Sequence, residues 1–306
     1  MNPDRARLTQ RAALASIFMA VILVSLKTWA SWQTGSVAML GSLADSALDL
    51  IASLVTLVGV RFAAIPADDD HRFGHGKAEA LAALAQVILI TISALGIAWQ
   101  AIDRLRAGTP TEGLEMGVGV SIFAIAGTFA LLAYQRQVIR KTGSIAIRTD
   151  NVHYQSDLLL NLSVIAALFF DQALGWRAAD PVFGIGIALW LMWGAWRAAS
   201  HSIDQLMDRE WPKQELDDFL AAVRDYPELS GLHDLRTRHA GTHRFVQFHV
   251  WVPGNWTVRE AHDRMDTVEE KLQARFPGTE FLIHLDPEGH IDRETMLPSA
   301  ITEAKP

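Results

Sequence analysis

Over the first two-thirds of the chain, apolar positions gather into six stretches of membrane-spanning length. Residues 80–102 and 116–135 carry no charge at all. Residues 12–33, 37–61, 145–170 and 181–203 are nearly as apolar but hold isolated charges, among them Lys27, then Asp45 and Asp49, then Asp150 and Asp157, then Arg197. A transmembrane helix needs roughly 20 mostly apolar residues, and each stretch qualifies. The separators are short and turn-like: Gln33-Thr34-Gly35, Ala107-Gly108-Thr109-Pro110, and residues 171–180 ahead of Pro181. The pattern predicts an α-helical membrane domain of six transmembrane helices over residues 1–206.

After that the periodicity changes. Residues 213–226 repeat as a helix, 244–253 alternate as a strand, 257–276 form a charged amphipathic helix, and 280–286 form a second apolar strand. Thr257, with Glu260 three residues on, marks an N-terminal cap. With 233–240 as a further strand the order is αββαβ, one sheet against two helices. This predicts a small α+β domain over 207–292, followed by a flexible tail over 293–306.

Composition sharpens the division. The chain has 306 residues, half of them apolar, with a formal net charge of −7. Residues 1–205 hold 15 acidic and 15 basic side chains, whereas 206–306 hold 19 acidic against 12 basic, so all the net charge lies in the last third. No basic surface for nucleic acid is indicated. The segments before, between and after the even-numbered turns carry Arg5, Arg7, Arg11, Arg61, Arg72, Lys77, Arg136, Arg140, Lys141 and Arg148, while the opposite loops hold only Arg104, Arg106 and Arg177. By the positive-inside rule both termini are expected in the cytoplasm. No cleaved signal peptide is expected, because the first apolar run is long and no clear small-residue cleavage site follows it.

There is no cysteine. Thiolate zinc sites, iron–sulfur clusters and cysteine nucleophiles are therefore excluded, and any metal must be held by imidazole and carboxylate. No H-E-x-x-H, G-x-S-x-G or P-loop sequence occurs, so protease, hydrolase and ATPase chemistry lacks a centre.

Three groups of residues suit a divalent cation. Asp45 and Asp49 are four apart in the second stretch, and His153 and Asp157 are four apart in the fifth, so each pair shares one helix face. Carboxylates in a membrane helix are costly and usually face a bundle interior or a water-filled cavity. Two such helices face to face give three carboxylates and one imidazole, a cage suited to Zn²⁺ and with less preference to Fe²⁺, Mn²⁺ or Cd²⁺. Helix–helix hydrogen bonding is the metal-free alternative. In the loop DDDHRFGHGK, Asp68, His71 and His75 make an H-x-x-x-H with an upstream aspartate, though a solvated charged loop fits the spacing equally. The last third holds seven of the 11 histidines: His233, His239, His243, His249, His262, His284 and His290. His249 and His284 fall in predicted strands, with Asp286 two residues beyond His284.

Taken together, GSLADSALD, DHRFGHGKAEALAALAQ, HYQSDLLLN, GLHDLRTR and IHLDP make the chain resemble the cation diffusion facilitator family over about residues 8–291. The resemblance implies a homodimer in a bacterial plasma (inner) membrane, with six helices per protomer and a metallochaperone-like cytoplasmic domain. It implies exchange of cytoplasmic divalent metal for protons by alternating access. Asp45, Asp49, His153 and Asp157 match the family's transport site, and a histidine in that quartet matches its zinc/cadmium-selective pattern. Asp68, His71 and His75 match a loop site. His233, His249, His262, His284 and Asp286 match a binuclear site, with Asp286 bridging two ions. Lys77 and Asp208 match the charge pair that locks the dimer near the membrane surface. Leu285 stands where relatives have a polar residue, His239 and His243 have no matching role, and Asp69 and Asp70 crowd the loop site. The function expected is therefore a proton-coupled antiporter, not an enzyme, that exports Zn²⁺, with Cd²⁺ and Fe²⁺ as further candidates. Zn²⁺ would be both substrate and a structural or regulatory ion, and protons the counter-ion. A passive metal-permeable channel and a membrane-anchored metal sensor are the alternatives.

Overall fold

The computed structural model describes residues 3–34, 37–107, 118–176, 178–241 and 243–289. The start of the expected fourth stretch at 116, the turn at 108–110, Gly35, Arg177, His290 and the tail over 293–306 lie outside the described residues. The chain divides into two compact units, Asn2–Ile203 and a second that begins at Asp204.

Six long helices make the first unit: α1 (Pro3–Thr34), α2 (Val37–Ala63), α3 (Ala78–Ala107), α4 (Val118–Thr142), α5 (Ile145–Leu174) and α6 (Ala179–Leu206). Among the described residues, four segments are long and apolar enough to cross a membrane: Asp4–Gln33, Ser46–Ala63, Ala78–Arg106 and Ala179–Leu206. The apolar runs of the fourth and fifth helices include positions whose side chains lie outside the described residues.

The helices are arranged inside out relative to a bundle in water. Ile88, Ile92, Leu95 and Trp99 of α3 and Leu189, Trp193 and Trp196 of α6 are exposed, whereas Ser16, Ser53, Thr56, Gln86, Gln135 and Asp150 are buried. An apolar exterior around a polar interior suits lipid, because polar side chains in a membrane helix face the bundle and bond across it. The α2–α3 contact depends on a small residue, since a Cβ on Gly59 would lie 2.2 Å from the Ala82 Cβ. At the far end of α3, Arg104 donates to Asp180 at 2.9 Å and ties that helix to the start of α6.

The second unit follows the predicted αββαβ order: α7 (Lys213–Val223), β1 (His233–Ala240), β2 (His243–Val252), α8 (Val258–Arg275) and β3 (Thr279–Pro287). A short 3₁₀ turn at Pro227–Leu229 precedes β1. The sheet order is β1-β2-β3, with β1 antiparallel and β3 parallel to β2. A parallel pair requires a crossover, which α8 provides. Thr257 and Glu260 close a full capping box on α8, as their spacing predicts. Val246, Phe248 and Val250 of β2 alternate into a core with Phe219, Met265, Val268, Leu272 and Phe281. The opposite face of the sheet is left for polar chemistry.

Candidate metal centres

In the first unit, α2 and α5 meet along polar stripes. Asp49, Ser53 and Thr56 recur on one face of α2, and Asp150, His153, Tyr154 and Asp157 on one face of α5. His153 Nε2 lies 2.9 Å from Asp49 Oδ1. One ligand atom from each of Asp49, His153 and Asp157 falls within a mutual 4.8 Å, a spacing that fits a single cation. Asp49 and His153 are buried, at 7% and 4% exposure, so water does not compete freely for them. His153 Nδ1 is also buried and has no hydrogen-bond partner among the described residues. Buried polar atoms are normally satisfied, so such an atom is one that a water or cation would complete. Asp45 lies on α2 one turn before Asp49, but its side chain is outside the described residues.

The α2–α3 loop gathers the second group. Asp68 accepts from the His71 and Asp70 backbone N–H groups at 2.7 and 3.1 Å. The His71 amide does most to hold the Asp68 carboxyl below its usual range. His71 Nδ1 and His75 Nε2 each lie 3.5 Å from that carboxylate. His75 is buried against Phe62, and its Nδ1 lies 3.3 Å from the Pro66 carbonyl. A ring held that way presents Nε2 to a ligand, an orientation common to metal-binding histidines. Asp69 points to Arg72 instead, at 2.9 Å, so Asp68 is the aspartate that joins the two histidines.

This loop leads directly into α3, whose second residue reaches α5. Glu79 is buried and accepts from Ser144 Oγ at 2.7 Å. Ser144 in turn accepts from Ile147 N at 3.3 Å, as an N-cap of α5 does.

The third group crosses the sheet in a row. Strand register sets His233 opposite His249, and His249 beside His284. Asp286, two residues beyond His284, shares its face. Asp286 Oδ2 lies 2.9 Å from His249 Nδ1 and 3.3 Å from His233 Nε2, while Oδ1 lies 3.4 Å from His284 Nε2. Its two oxygens thus face different imidazoles. Burial pushes the Asp286 carboxyl up, but the His249 bond and the three imidazoles outweigh it and hold the group below its usual range. His233 Nδ1 lies 2.9 Å from the Gly231 carbonyl, which turns Nε2 toward Asp286.

Other predicted residues lie away from this row. His262 does not join this row within one chain. It sits on α8, exposed, 3.2 Å from Asp266 one turn along the same helix. Leu285 packs against the core, so its apolar side chain is set by the buried face of β3 rather than by the histidine face. Asp208 faces Arg238 at 3.3 Å within the second unit. His239 lies tilted against Trp211, ring centroids 5.6 Å apart, and 3.6 Å from Glu215, away from the row. Burial does most to depress its proton affinity.

Sequence reasoning missed Asp234 and gave Asp150 no role. Alternation puts Asp234 on the opposite face from His233. However, the strand is irregular between His233 and Arg236, Asp234 has φ +47°, and its Oδ2 reaches within 3.8 Å of His249 Nε2. Bulges of this kind re-aim side chains near functional sites. Asp150 is signalled only by its place three residues before His153.

Comparison with known proteins identifies the family. Residues 13–207 match the family model described as the cation efflux transmembrane domain, and 211–288 match the cation efflux protein, cytoplasmic domain. The cation-efflux pump FieF of Salmonella newport (strain SL254) is 42% identical over 294 residues, covering 96% of this chain and 98% of that protein. The same figures hold for FieF of Salmonella typhimurium (strain LT2). Among solved structures, the zinc form of the putative zinc transporter CzrB is 36% identical over 28% of this chain and 99% of its own, with a TM-score of 0.26. The metal-bound C-terminal domain of the CzcD transporter from Thermotoga maritima is 27% identical over 27% of this chain and 100% of its own, with a TM-score of 0.25. The chain belongs to the cation diffusion facilitator family and is a cation efflux transporter of the membrane.

Proposed function

We propose that the protein exports Zn²⁺ from the bacterial cytoplasm in exchange for protons, working as a homodimer with six membrane crossings per protomer. The observation that carries this reading is the Asp49–His153–Asp157 cluster, with Asp49 and His153 buried, between two helices of an efflux-family bundle. The α4 and α5 lengths of 25 and 30 residues support the crossings, because about 20 helical residues span a bilayer core. Asp45, Asp49, His153 and Asp157 form the transport site. One imidazole among carboxylates favours Zn²⁺ and Cd²⁺, with Fe²⁺ as a weaker substrate.

Coupling follows from the ligands. Imidazole and carboxylate bind a metal only when deprotonated, so metal and proton compete for the same atoms. With the site open inward, Zn²⁺ displaces protons. With it open outward, protons from the far side displace Zn²⁺. Asp68, His71 and His75 sit at the cytoplasmic entrance as a loading site. In the cytoplasmic domain His233, His249, His284 and Asp286 bind regulatory Zn²⁺, with His262 contributing when two domains pair. The expectation is tested by calorimetric Zn²⁺ titration in two buffers of different ionisation enthalpy. Protons are released on binding, and Asp49→Ala removes that part of the signal. Binding without proton release would exclude the exchange, and leave a passive metal-permeable pathway.

A further inference from the structure

Three residues before His153, Asp150 is fully buried, at 0% exposure. Its carboxylate is held from four other helices. Oδ2 accepts from Ser16 Oγ of α1 at 2.6 Å and from Gln135 Nε2 of α4 at 2.7 Å. Oδ1 accepts from Gln86 Nε2 of α3 at 3.2 Å and faces Thr56 Oγ1 of α2 at 3.4 Å, whose one proton is shared with the Ala52 carbonyl at 3.1 Å. Each oxygen therefore faces one hydroxyl and one amide. The amides are shared within each half: Gln135 Nε2 also donates to Ser16 Oγ at 2.9 Å, and Gln86 Nε2 to Thr56 Oγ1 at 2.5 Å. An acceptor-only carboxylate matches this all-donor surround. Two neighbours extend the network. Asn151 Nδ2 donates to Gln135 Oε1 at 2.9 Å, and Tyr154 Oη donates to the Ser16 carbonyl and pairs with Ser53 Oγ, both at 2.9 Å.

We propose that Asp150 is a positioning residue for transport: its carboxylate pins α5 to α1, α2, α3 and α4, and so sets where His153 and Asp157 meet Asp49. This rests on the transport-site reading given above. The geometry explains why one pin suffices. Successive residues of an α-helix turn by about 100° and rise 1.5 Å, so a one-residue slip of α5 would swing His153 off the α2 face. The α2 stripe makes the register explicit, because Asp49 meets His153, Ser53 meets Tyr154 and Thr56 meets Asp150. The helices run antiparallel along these contacts. The apolar packing of α5 against lipid and neighbours has no comparable directionality, whereas a two-oxygen acceptor with four aimed donors does. Groups that orient metal ligands typically change affinity about 10–100-fold when altered.

The test is Zn²⁺ calorimetry on the full chain in detergent, in an Asp286→Asn background that silences the sheet site. The difference between this parent and its Asp49→Ala variant isolates binding at the bundle. No difference would refute the transport-site reading itself, before Asp150 is considered. Given a difference, Asp150→Asn weakens the bundle site about 10–100-fold. Thr56→Val, which removes one donor at constant shape, weakens it several-fold, and Thr56→Ser restores it. A purely structural role would lower melting temperatures while leaving Zn²⁺ affinity at the parent value, and that result overturns the proposal. If Asp150→Asn does not fold, the valine and serine pair at position 56 decides: equal affinity in both contradicts the pin, and loss with rescue supports it.

Discussion

The bundle cluster and the sheet cluster use the same chemistry, imidazole around carboxylate, in opposite surroundings. In the bundle, Asp49, His153 and Asp157 come from two helices and are aligned by polar contacts that run from α1 to α5. In the sheet, His233, His249 and His284 come from three neighbouring strands, and backbone register alone lines them up. One site depends on how helices are rotated and can be remade when they move. The other is built into a ladder with its own core of Phe219, Phe248, Val250 and Leu272. On the proposed reading, the site that releases its ion lies on separate helices and the regulatory site on one sheet.

Ligand removal should separate the two most strongly. In liposomes, His153→Ala is expected to lower Zn²⁺ transport more than about 100-fold, while Zn²⁺ binding by the C-terminal unit stays intact. Asp286→Asn should do the reverse, with sheet-site affinity falling more than about 100-fold and the bundle still binding. If either variant disabled both sites equally, the two regions would not be independent centres.

Smaller effects test the supports. Thr257→Ala breaks the α8 capping box and should cost about 1 kcal/mol in the stability of the C-terminal unit, read from denaturant melts. Ser144→Ala removes the acceptor that caps α5 and leaves buried Glu79 without its 2.7 Å donor. Zn²⁺ affinity of the bundle should fall several-fold while the sheet site is unmoved. The smallest effect concerns His239, whose proton affinity is lower in the fold than in the unfolded chain. Unfolded histidine binds a proton below about pH 6.5, so acidification there favours unfolding, and stability is lost as pH falls through that value toward the depressed folded one. Between about pH 7.5 and about pH 5.5, the loss should be smaller in His239→Gln than in the parent domain.

How much of this was legible in sequence also differs between the regions. The two i,i+4 pairs in the helices announce themselves, because a helix repeats every 3.6 residues and charged groups stand out against an apolar background. The strands were legible to within a residue because their side chains alternate with a period of two. The row His233–His249–His284 was grouped only through the family resemblance, since register depends on which strands neighbour each other and in which direction. Nor was Asp234, whose left-handed backbone breaks the alternation that a strand pattern assumes. Asp150 looked like one more isolated charge, and its partners Ser16, Thr56, Gln86 and Gln135 look like ordinary small or polar residues. Only the packing of five helices brings them together. His262 illustrates the converse, a residue assigned by motif to a cluster that a single chain does not form around it.

The central claim is that Zn²⁺ and protons exchange through the cage between α2 and α5. Its most direct test is Zn²⁺ flux and lumenal pH recorded together in liposomes containing the protein, under an imposed pH gradient. The account predicts that Zn²⁺ movement is matched by opposite proton movement, that the gradient accelerates it, and that Asp49→Ala abolishes both signals. Wild-type Zn²⁺ flux in Asp49→Ala protein, or Zn²⁺ flux with no proton counter-movement, would contradict it.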